Sequence, residues 1–216
     1  MFSRSPVSHG LSASNCPDFP ASWYSWAIAA KARPNTVSAH LRSNSRSGGA
    51  VFESGALNPN GSIQGNDNDE DPHKFEPHYT QINKPDQVQI YEDIMVDPQG
   101  VPTTGLLSAV RFIKDNRLLP KGFDKTKVEQ EIAPQGGAMA DNDFQGGGDK
   151  IVYAVPLSNS RGPYQVEAEL WFQPIAYRWA NNLKPYDAAE PKRFTGYYDA
   201  MSTGSAVLID RTTAIK

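Results

Sequence analysis

The sequence contains a single cysteine, Cys16, among its 216 residues. One thiol cannot close an intramolecular disulfide, and it cannot supply the paired cysteines of a zinc ribbon. The C-x-x-C-H arrangement that attaches a c-type haem is absent as well, since Cys16 is followed by Pro17, Asp18 and Phe19. We therefore expect no covalently bound cofactor in this chain.

The chain also lacks long apolar runs and clusters of positive charge. No stretch of about 18 apolar residues occurs, so no segment is expected to span a membrane. Residues 23–30 are mildly apolar, but Ser25 interrupts them and only Arg4 precedes them as a cation, so the sequence predicts no clear signal peptide. The net charge of −3, without a basic patch, argues against nucleic acid as a partner.

Residues 1–47 differ in composition from the rest of the chain. They are rich in Ser, Ala, Pro and Arg, and Asp18 is their only acidic residue. Such a composition is typical of a disordered or adventitious leader that does not belong to the fold. The sequence therefore predicts a leader over 1–47 and one β-sandwich-like domain over 48–216, which is long enough to bury a core of its own.

Strand patterns dominate this second part. Apolar and polar residues alternate over 151–157 and again over 164–172, which predicts two half-buried strands joined by a short loop as an antiparallel pair. Helical spacing of apolar residues over 175–183 and 191–201 predicts two short helices. The predicted fold class is mainly β, an antiparallel β-sandwich with one or two short helices near the C-terminus. Further strands are predicted near residues 50–55, 87–95, 104–113 and 206–209.

Three segments of this domain carry a resemblance to a known family. Residues 114–123 (KDNRLLPKGF) are similar to a family motif of the form "R/K-D-N-R-I/L-x-P-x-G-F". Residues 170–179 (LWFQPIAYRW) are similar to a strand-to-helix corner of the form "L-x-Y-Q-x-x-x-x-E-Y/W". Between them lie Gly146-Gly147-Gly148-Asp149 and a strand. With the strand at Val51, this order resembles the carboxy-terminal, haem-free domain of bacterial multihaem c-type cytochromes over about residues 48–211.

The resemblance implies an accessory domain that acts by contact and has no haem of its own. In that family the domain follows a segment with several haem sites, and such sites are absent from this sequence. The implied partner is a cytochrome domain or another protein, and the implied location is the periplasm or the outside of the cell. The trio Asp115, Asn116 and Arg117 in the first matched segment is interpreted as a structural anchor, because a carboxylate and the five donors of Arg can hold a turn.

An acidic loop is the candidate metal site. Carboxylate and amide oxygens, which calcium prefers, are supplied by Asn66, Asp67, Asn68, Asp69 and Asp71. Counted from Asp67, the acidic residues stand at the first, third and fifth positions of an EF-hand loop, but Pro72 replaces the required Gly and His78 the final Glu. Two interpretations stay open, a solvated loop and a calcium site, and calcium is the metal that we expect if one binds.

The histidines next to this loop allow a second kind of site. His73, Glu76 and His78 form a set that can bind a transition metal, although their spacing is not that of a helical zinc motif. Either histidine could instead lie on the surface or approach a haem carried by a neighbouring segment or chain.

Catalytic alternatives involve His78 and two glutamates. His78 could act as the base of an esterase, but the G-x-S-x-G nucleophile elbow is absent. Glu167 and Glu169 share one strand face about 7 Å apart, a spacing typical of the two carboxylates of glycosidases. Their alternative interpretation is the solvent face of an amphipathic strand. The sequence thus keeps a carbohydrate-active or esterase-type hydrolase as the competing function, and no catalysis as the preferred one.

Aromatic residues after Leu170 suggest a contact surface. Trp171, Tyr177 and Trp179 are its predicted members, with Tyr197 and Tyr198 further along the chain. Exposed Trp and Tyr can stack on sugars, so a carbohydrate-binding module is a further alternative, whereas packing in a core or at a protein interface is the more common use of such side chains.

Overall fold

A computed structural model describes residues 50–156 and 163–215, and residues 11–14, 23–30 and 36–43 as backbone strands. The first six strands within these ranges are β1 (Leu11–Ser14), β2 (Trp23–Ala30), β3 (Thr36–Ser43), β4 (Ala50–Ser54), β5 (Gln81–Ile82) and β6 (Gln89–Ile90). The later strands are β7 (Asp93–Val96), β8 (Pro102–Thr103), β9 (Arg111–Asp115), β10 (Asp149–Pro156), β11 (Tyr164–Phe172) and β12 (Val207–Ile215). The helices are α1 (Gly137–Ala140), α2 (Tyr177–Asn181) and α3 (Ala189–Ser205). The prediction of a mainly β fold with helices near the C-terminus is confirmed.

The first sheet has the strand order β1-β2-β10-β5. β2 lies antiparallel to both β1 and β10, whereas β5 runs parallel to β10. Ile151, Tyr153 and Val155 of β10 are buried, while Lys150 is exposed, as the alternating sequence predicts for a strand with one face on a core.

The second sheet has the strand order β12-β11-β3-β4, and β6 also pairs with β3. β11 lies antiparallel to β12 on one side and to β3 on the other, and its Val166, Ala168 and Leu170 are buried. The prediction that β10 and β11 form an antiparallel pair is wrong, because the two strands belong to different sheets. A period-two pattern identifies the buried face of a strand but not its hydrogen-bonded neighbour, which explains this error.

A third, smaller sheet has the order β8-β7-β9. The single strand predicted over 87–95 is divided between β6 and β7, and the strand predicted over 104–113 begins only at Arg111. Residues before Arg111 form a turn closed by hydrogen bonds from the N–H groups of Ser108 and Ala109 to Gly105 O. Leu106 and Leu107, the apolar pair that suggested a strand there, are therefore exposed.

One hydrophobic core contains residues from the first and second sheets. Its members include Phe52 of β4, Ile82 of β5, three residues of β10 and four of β11, together with Tyr91, Leu119, Ala138 and Phe144 from the connections. Phe144 and Ala138 are fully buried although they lie in the long connection between β9 and β10. This segment therefore packs into the core, and it brings the polar residues near it into the interior.

Three of the strands fall within residues 1–47, the predicted leader. β2 pairs with the whole of β10, from Asp149 to Pro156, and β3 pairs with β11 from Tyr164 to Trp171. The backbone of these strands thus completes both larger sheets. The domain boundary at residue 48 stays a prediction, which deletion of the segment can test.

Candidate functional site

A group of buried polar side chains surrounds His78. The His78 side chain is fully buried in the segment before β5, and the core ring of Phe144 packs edge-on against it at 5.3 Å between centroids. Gln89 lies in β6, and Asn116 directly follows β9. Asp141 caps the C-terminal end of α1, and Asp149 is the first residue of β10. Four segments that are distant in sequence therefore meet at this imidazole.

Hydrogen bonds from two amides fix the tautomer of His78. Gln89 Nε2 and Asn116 Nδ2 lie 2.9 Å and 3.1 Å from His78 Nδ1. Neither amide can be reversed, because Gln89 Oε1 accepts the Tyr79 N–H and Asn116 Oδ1 accepts the Glu92 N–H. Both amides therefore donate to Nδ1, which must carry a lone pair. The proton of the neutral ring is consequently on Nε2.

Asp141 accepts the remaining hydrogen of the His78 ring. His78 Nε2 lies 3.0 Å from Asp141 Oδ2, and the other carboxylate oxygen accepts the backbone N–H of Asp143 at 2.9 Å. Lys125 Nζ donates to the backbone carbonyls of Ala138 and Asp141, so a cation holds the same turn. The Asp141 side chain is only 7% exposed, so its hydrogen bonds are largely shielded from solvent.

Asp149 is a second buried carboxylate beside His78. Tyr91 OH donates to its Oδ2 at 2.8 Å, and the Lys150 N–H donates to its Oδ1 at 2.7 Å. Burial raises the pKa of Asp149 above its usual value, against the lowering effect of the Tyr91 hydrogen bond. Burial also raises the pKa of the Tyr91 hydroxyl, with the charge of Asp149 as the next cause. Tyr91 therefore stays protonated and serves as a donor.

The His78, Asp141 and Asp149 cluster is the candidate metal centre among the described residues. One ligand atom from each residue lies within 4.8 Å of the other two. A metal at Nε2 would have to displace the proton that is donated to Asp141. The ring would then need its proton on Nδ1, where two amide NH2 groups already point. The donor set has the right types for a divalent cation, whereas the amides favour the metal-free hydrogen-bonded form.

The same arrangement bears on His78 as a catalytic base. A base must offer an unoccupied lone pair to the proton that it removes. In His78 the only lone pair, on Nδ1, already accepts two hydrogen bonds, and Nε2 is a donor. In the described residues no serine hydroxyl is hydrogen-bonded to this ring. The geometry therefore differs from that of a serine hydrolase triad, in which the nucleophile hydroxyl meets the free nitrogen.

The other members of the predicted histidine set lie apart. Glu76 is fully buried, where it accepts the Val88 N–H at 3.2 Å and the Tyr79 hydroxyl at 3.3 Å. Burial raises the pKa of Glu76, although a hydrogen bond from Asn68 acts in the opposite direction. His73 is exposed, and it donates its backbone N–H to Asp71. His73, Glu76 and His78 do not converge on one point in the structure.

The acidic loop, residues 66–74, directs its polar groups to several partners. Lys74 Nζ donates to both oxygens of Asp67, at 2.7 Å and 2.9 Å, and it lowers the pKa of that carboxyl. Asp71 accepts the His73 N–H, and Asn66 Nδ2 donates to the Asp86 carbonyl at 2.6 Å. The contacts of Asp67 and Asp71 use carboxylate oxygens that were predicted to bind calcium, whereas Asn66 uses its amide nitrogen. The calcium site stays a prediction.

Arg178 of α2 holds the middle of the acidic loop. Its guanidinium donates to the backbone carbonyls of Asn68 and Lys74, and its side chain is only 6% exposed. Arg178 Nε lies 3.6 Å from Asp69 Oδ1, too far for a hydrogen bond, and it is buried without a partner. Burial, followed by the charge of Glu92, raises the pKa of Asp69 to about 6. Next to this pair, Tyr177 OH donates to Glu70 at 3.3 Å.

The predicted anchor divides into an exposed pair and a buried amide. Arg117 donates to both oxygens of Asp115, at 2.9 Å and 2.6 Å, but its side chain is 56% exposed. Asn116 is fully buried, where it bridges Ile90 O, the Glu92 N–H and His78. Lys114, before them, pairs with Glu92 at 2.9 Å. The segment is therefore connected to the His78 cluster through its central residue.

Glu167 and Glu169 share one cation of the adjacent strand, Arg211. Arg211 of β12 donates to Glu169 Oε1 through Nε at 2.6 Å, and the same nitrogen lies 3.9 Å from Glu167. Trp171 Nε1 donates to the other oxygen of Glu169 at 2.8 Å. Glu169 is buried, unlike the solvent-facing residue that strand alternation predicts. Its two carboxylate oxygens are thus engaged in contacts within the sheet.

The predicted contact residues differ in exposure. Trp171 is half-buried by its contact with Glu169, and Tyr177 is half-buried against the acidic loop. Trp179 is 40% exposed, and on α3 the side chains of Tyr197 and Met201 are 65% and 69% exposed. Tyr198 faces inward and is buried. The exposed side chains of α2 and α3 therefore offer aromatic and thioether groups to solvent.

Sequence reasoning found His78 and Asn116 but not their common environment. It missed Gln89 and Asp141, which have no motif of their own, and it also missed Asp149 and Arg178, whose segments it used only for the resemblance. The available signal was the position of Asn116, Asp149 and Arg178 inside the three matched segments.

Comparisons with protein-family models, with curated proteins and with solved structures found no match for this chain. In the part of the chain that the structure describes, no helix is both long enough and apolar enough to cross a bilayer.

Proposed function

We propose that this chain is a non-catalytic interaction domain that binds another protein through the exposed face of α2 and α3. The observation that carries the proposal is the exposure of Trp179, Tyr197 and Met201 on these helices. Large aromatic side chains and Met are enriched at protein interfaces. Trp and Tyr bury a large area at a low cost in conformational entropy, and the flexible Met side chain adapts to irregular partner surfaces. Of the members that the sequence predicted for a contact surface, Trp171 and Tyr177 are half-buried and Trp179 is exposed, so from here on the contact surface means Trp179, Tyr197 and Met201.

The proposed scaffold for this surface is a β-sandwich. Its support is the shared core, in which Ile151 and Tyr153 of β10 belong to the same cluster as Val166 and Leu170 of β11. The two strands lie in different sheets, and their residues in one common core support an arrangement in which the apolar faces of these sheets pack against each other. Two sheets that face each other across one core form a rigid base from which helices can present a contact surface.

Support for a non-catalytic role comes from the contacts of the candidate catalytic groups. The only lone pair of His78 accepts two hydrogen bonds, and Glu169 is engaged by Arg211 and Trp171. Groups that act as a base or a nucleophile need access to a substrate atom. The resemblance of three segments to a multihaem cytochrome domain suggests the partner, a haem-bearing domain in the periplasm or outside the cell.

Binding to such a partner should depend on the contact surface. We expect Trp179→Ala and Tyr197→Ala each to weaken the binding of a purified multihaem c-type cytochrome from the same organism by about tenfold or more, the size of a typical interface hot spot. Isothermal titration calorimetry measures the effect. Ile132→Ala is the matched control, because Ile132 is 61% exposed but lies outside these helices. Equal affinity of all three variants and the wild type would contradict the proposal.

The hydrolase alternative predicts turnover where we expect none. Purified protein should release no product from a panel of polysaccharides and acyl esters, because neither His78 nor Glu169 has a free catalytic atom. The wild type could instead show turnover that Glu169→Ala or His78→Ala abolishes, in a variant whose circular dichroism spectrum matches the wild type. That result would contradict the interaction proposal and support the hydrolase. Binding of an oligosaccharide without turnover would favour the carbohydrate-binding alternative.

A further inference from the structure

The connection between β8 and β9 exposes apolar side chains at its tip. Leu107 is fully exposed, at 105%, while Leu106 and Val110 are 70% and 58% exposed. Single exposed apolar residues are common on proteins, but adjoining ones mark a surface that binds another protein or a membrane. We call Leu106 and Leu107 the apolar tip. Its full exposure means that it projects from the surface of the described fold.

The polar groups of the same connection are directed to its own backbone. Ser108 Oγ donates to Gly105 O at 2.9 Å, and Thr103 Oγ1 accepts the Gly105 N–H at 3.0 Å. The N–H groups of Ser108 and Ala109 donate to the same carbonyl of Gly105. The turn therefore has a fixed conformation in which these polar groups are satisfied internally. Such groups can leave water at a lower cost than groups that still need a partner.

The charge distribution around the apolar tip favours a lipid surface as the occupant. Residues 98–110 contain no charged side chain, and the nearest charges in sequence, Asp97 and Arg111, have opposite signs. A protein pocket can supply partners for polar and charged groups, whereas the apolar part of a bilayer cannot. An uncharged turn with internal hydrogen bonds meets this stricter requirement. A fluid bilayer also surrounds a projecting tip without a pocket of matching shape.

We propose that the turn of residues 103–108 is a membrane-docking site, which inserts Leu106 and Leu107 into the boundary between the headgroups and the acyl chains of a bilayer. Insertion to this depth is shallow, so the peptide groups of the two leucines stay within reach of headgroup water. The driving force is the burial of apolar area. Two leucine side chains supply little of it, and the association is consequently weak and reversible, like that of a single short acyl anchor.

The docking site lies next to the helix that carries Trp179. Asn182 Nδ2, at the C-terminal end of α2, donates to Thr104 Oγ1 at 3.1 Å. Trp179 and Asn182 are three residues apart, so they lie on the same side of the helix. Docking therefore brings α2 close to the bilayer. It does not rest on the proposed protein contact, because it requires lipid alone.

Vesicle binding by the purified full-length chain tests the docking site. We expect co-sedimentation with phosphatidylcholine vesicles, and we expect Leu106→Ala and Leu107→Ala each to lower the partition coefficient by about tenfold, since each removes apolar area that the bilayer buries. Both leucines are exposed, so neither variant loses a core contact. Binding should persist in high salt, because apolar burial is not screened by ions.

Ile132→Ala is the matched control for the vesicle experiment. Ile132 is 61% exposed but lies in the connection between β9 and α1, so its variant should bind vesicles as the wild type does. Absence of vesicle binding by the wild type overturns the proposal, as do equal partition coefficients for the leucine variants and the wild type. If the leucine variants weaken only the complex with a cytochrome, the apolar tip is a protein contact and the lipid assignment is wrong.

Fluorescence quenching measures the insertion directly. Leu107→Trp places a reporter at the apolar tip, and its emission should shift to the blue and be quenched by lipids that are brominated on the acyl chains. Ile132→Trp is the control whose added emission should not change. The wild type, with its four native tryptophans, provides the background. Quenching of both reporters to the same extent, or of neither, contradicts insertion through residues 103–108.

Discussion

Replacement of Asn116 by alanine should lower the free energy of unfolding by about 3 kcal/mol, since it leaves buried partners without hydrogen bonds. Asn116 is fully buried, and its amide contacts the Glu92 N–H, the Ile90 carbonyl and Nδ1 of His78. Each buried polar group that loses its partner retains the full penalty of its desolvation. Urea or guanidinium denaturation of the two proteins measures the difference.

Arg117→Ala is the control next to it in sequence. Arg117 makes the shortest ion pair of this segment, with Asp115 at 2.6 Å, but its side chain is 56% exposed. Exposed ion pairs contribute little in water, so this substitution should lower stability by less than about 1 kcal/mol. Equal losses for the two variants, or a larger loss for Arg117→Ala, would contradict the assignment of Asn116 as the connection between β9 and the His78 cluster.

The tautomer of His78 gives the same interpretation an independent measurement. Nitrogen-15 NMR of the ring should show the proton on Nε2 in the wild type, because Gln89 and Asn116 both donate to Nδ1. A proton on Nδ1 would mean that the amides do not have the orientations inferred from the Tyr79 and Glu92 N–H groups. Such a result would also reopen the metal centre at Nε2.

The sequence predicted local features well where one residue pattern has one physical cause. Alternation over Tyr164–Phe172 produced a strand with Val166, Ala168 and Leu170 buried, and helical spacing after Pro191 located the core of α3. Partners were predicted less well. Nothing in the alternation of β10 could reveal that β2 and β5, rather than β11, are its neighbours, since the same pattern suits any partner strand.

The candidate site was predictable only in part for the same reason. His78 was found because histidine is chemically distinctive, yet its partners Asp141 and Asp149 come from distant segments that carry no motif together. The anchor was found as the trio Asp115, Asn116 and Arg117. Charge suggests that the ion pair is its most important part, but burial indicates that the neutral amide is. Its ionic members lie near the surface, while the neutral Asn116 is inside. Burial of Glu169 was missed because it depends on Arg211 and Trp171, which neighbour it only in the folded sheet.

Deletion of residues 1–47 should abolish the cooperative thermal unfolding transition of the protein or strongly lower its melting temperature. The deletion removes β2, which pairs with the whole of β10, and β3, which lies between β11 and β4. β10 and β11 supply Ile151, Tyr153, Val166 and Leu170 to the common core. Without their neighbours, the backbone groups of both strands lose the ladders that fix them, and small sheets with unpaired long edges are marginally stable.

The opposite outcome is what the composition of residues 1–47 predicts. A removable leader would leave the fragment 48–216 with the melting temperature of the full chain, and limited proteolysis would trim the leader to a resistant core. Deletion of residues 1–10 is the control, because it leaves every described strand in place and should change the melting temperature little. Differential scanning calorimetry of the three proteins separates the two outcomes. Loss of the transition in the fragment alone would show that β2 and β3 belong to the fold, since the backbone pairing of both sheets then requires them.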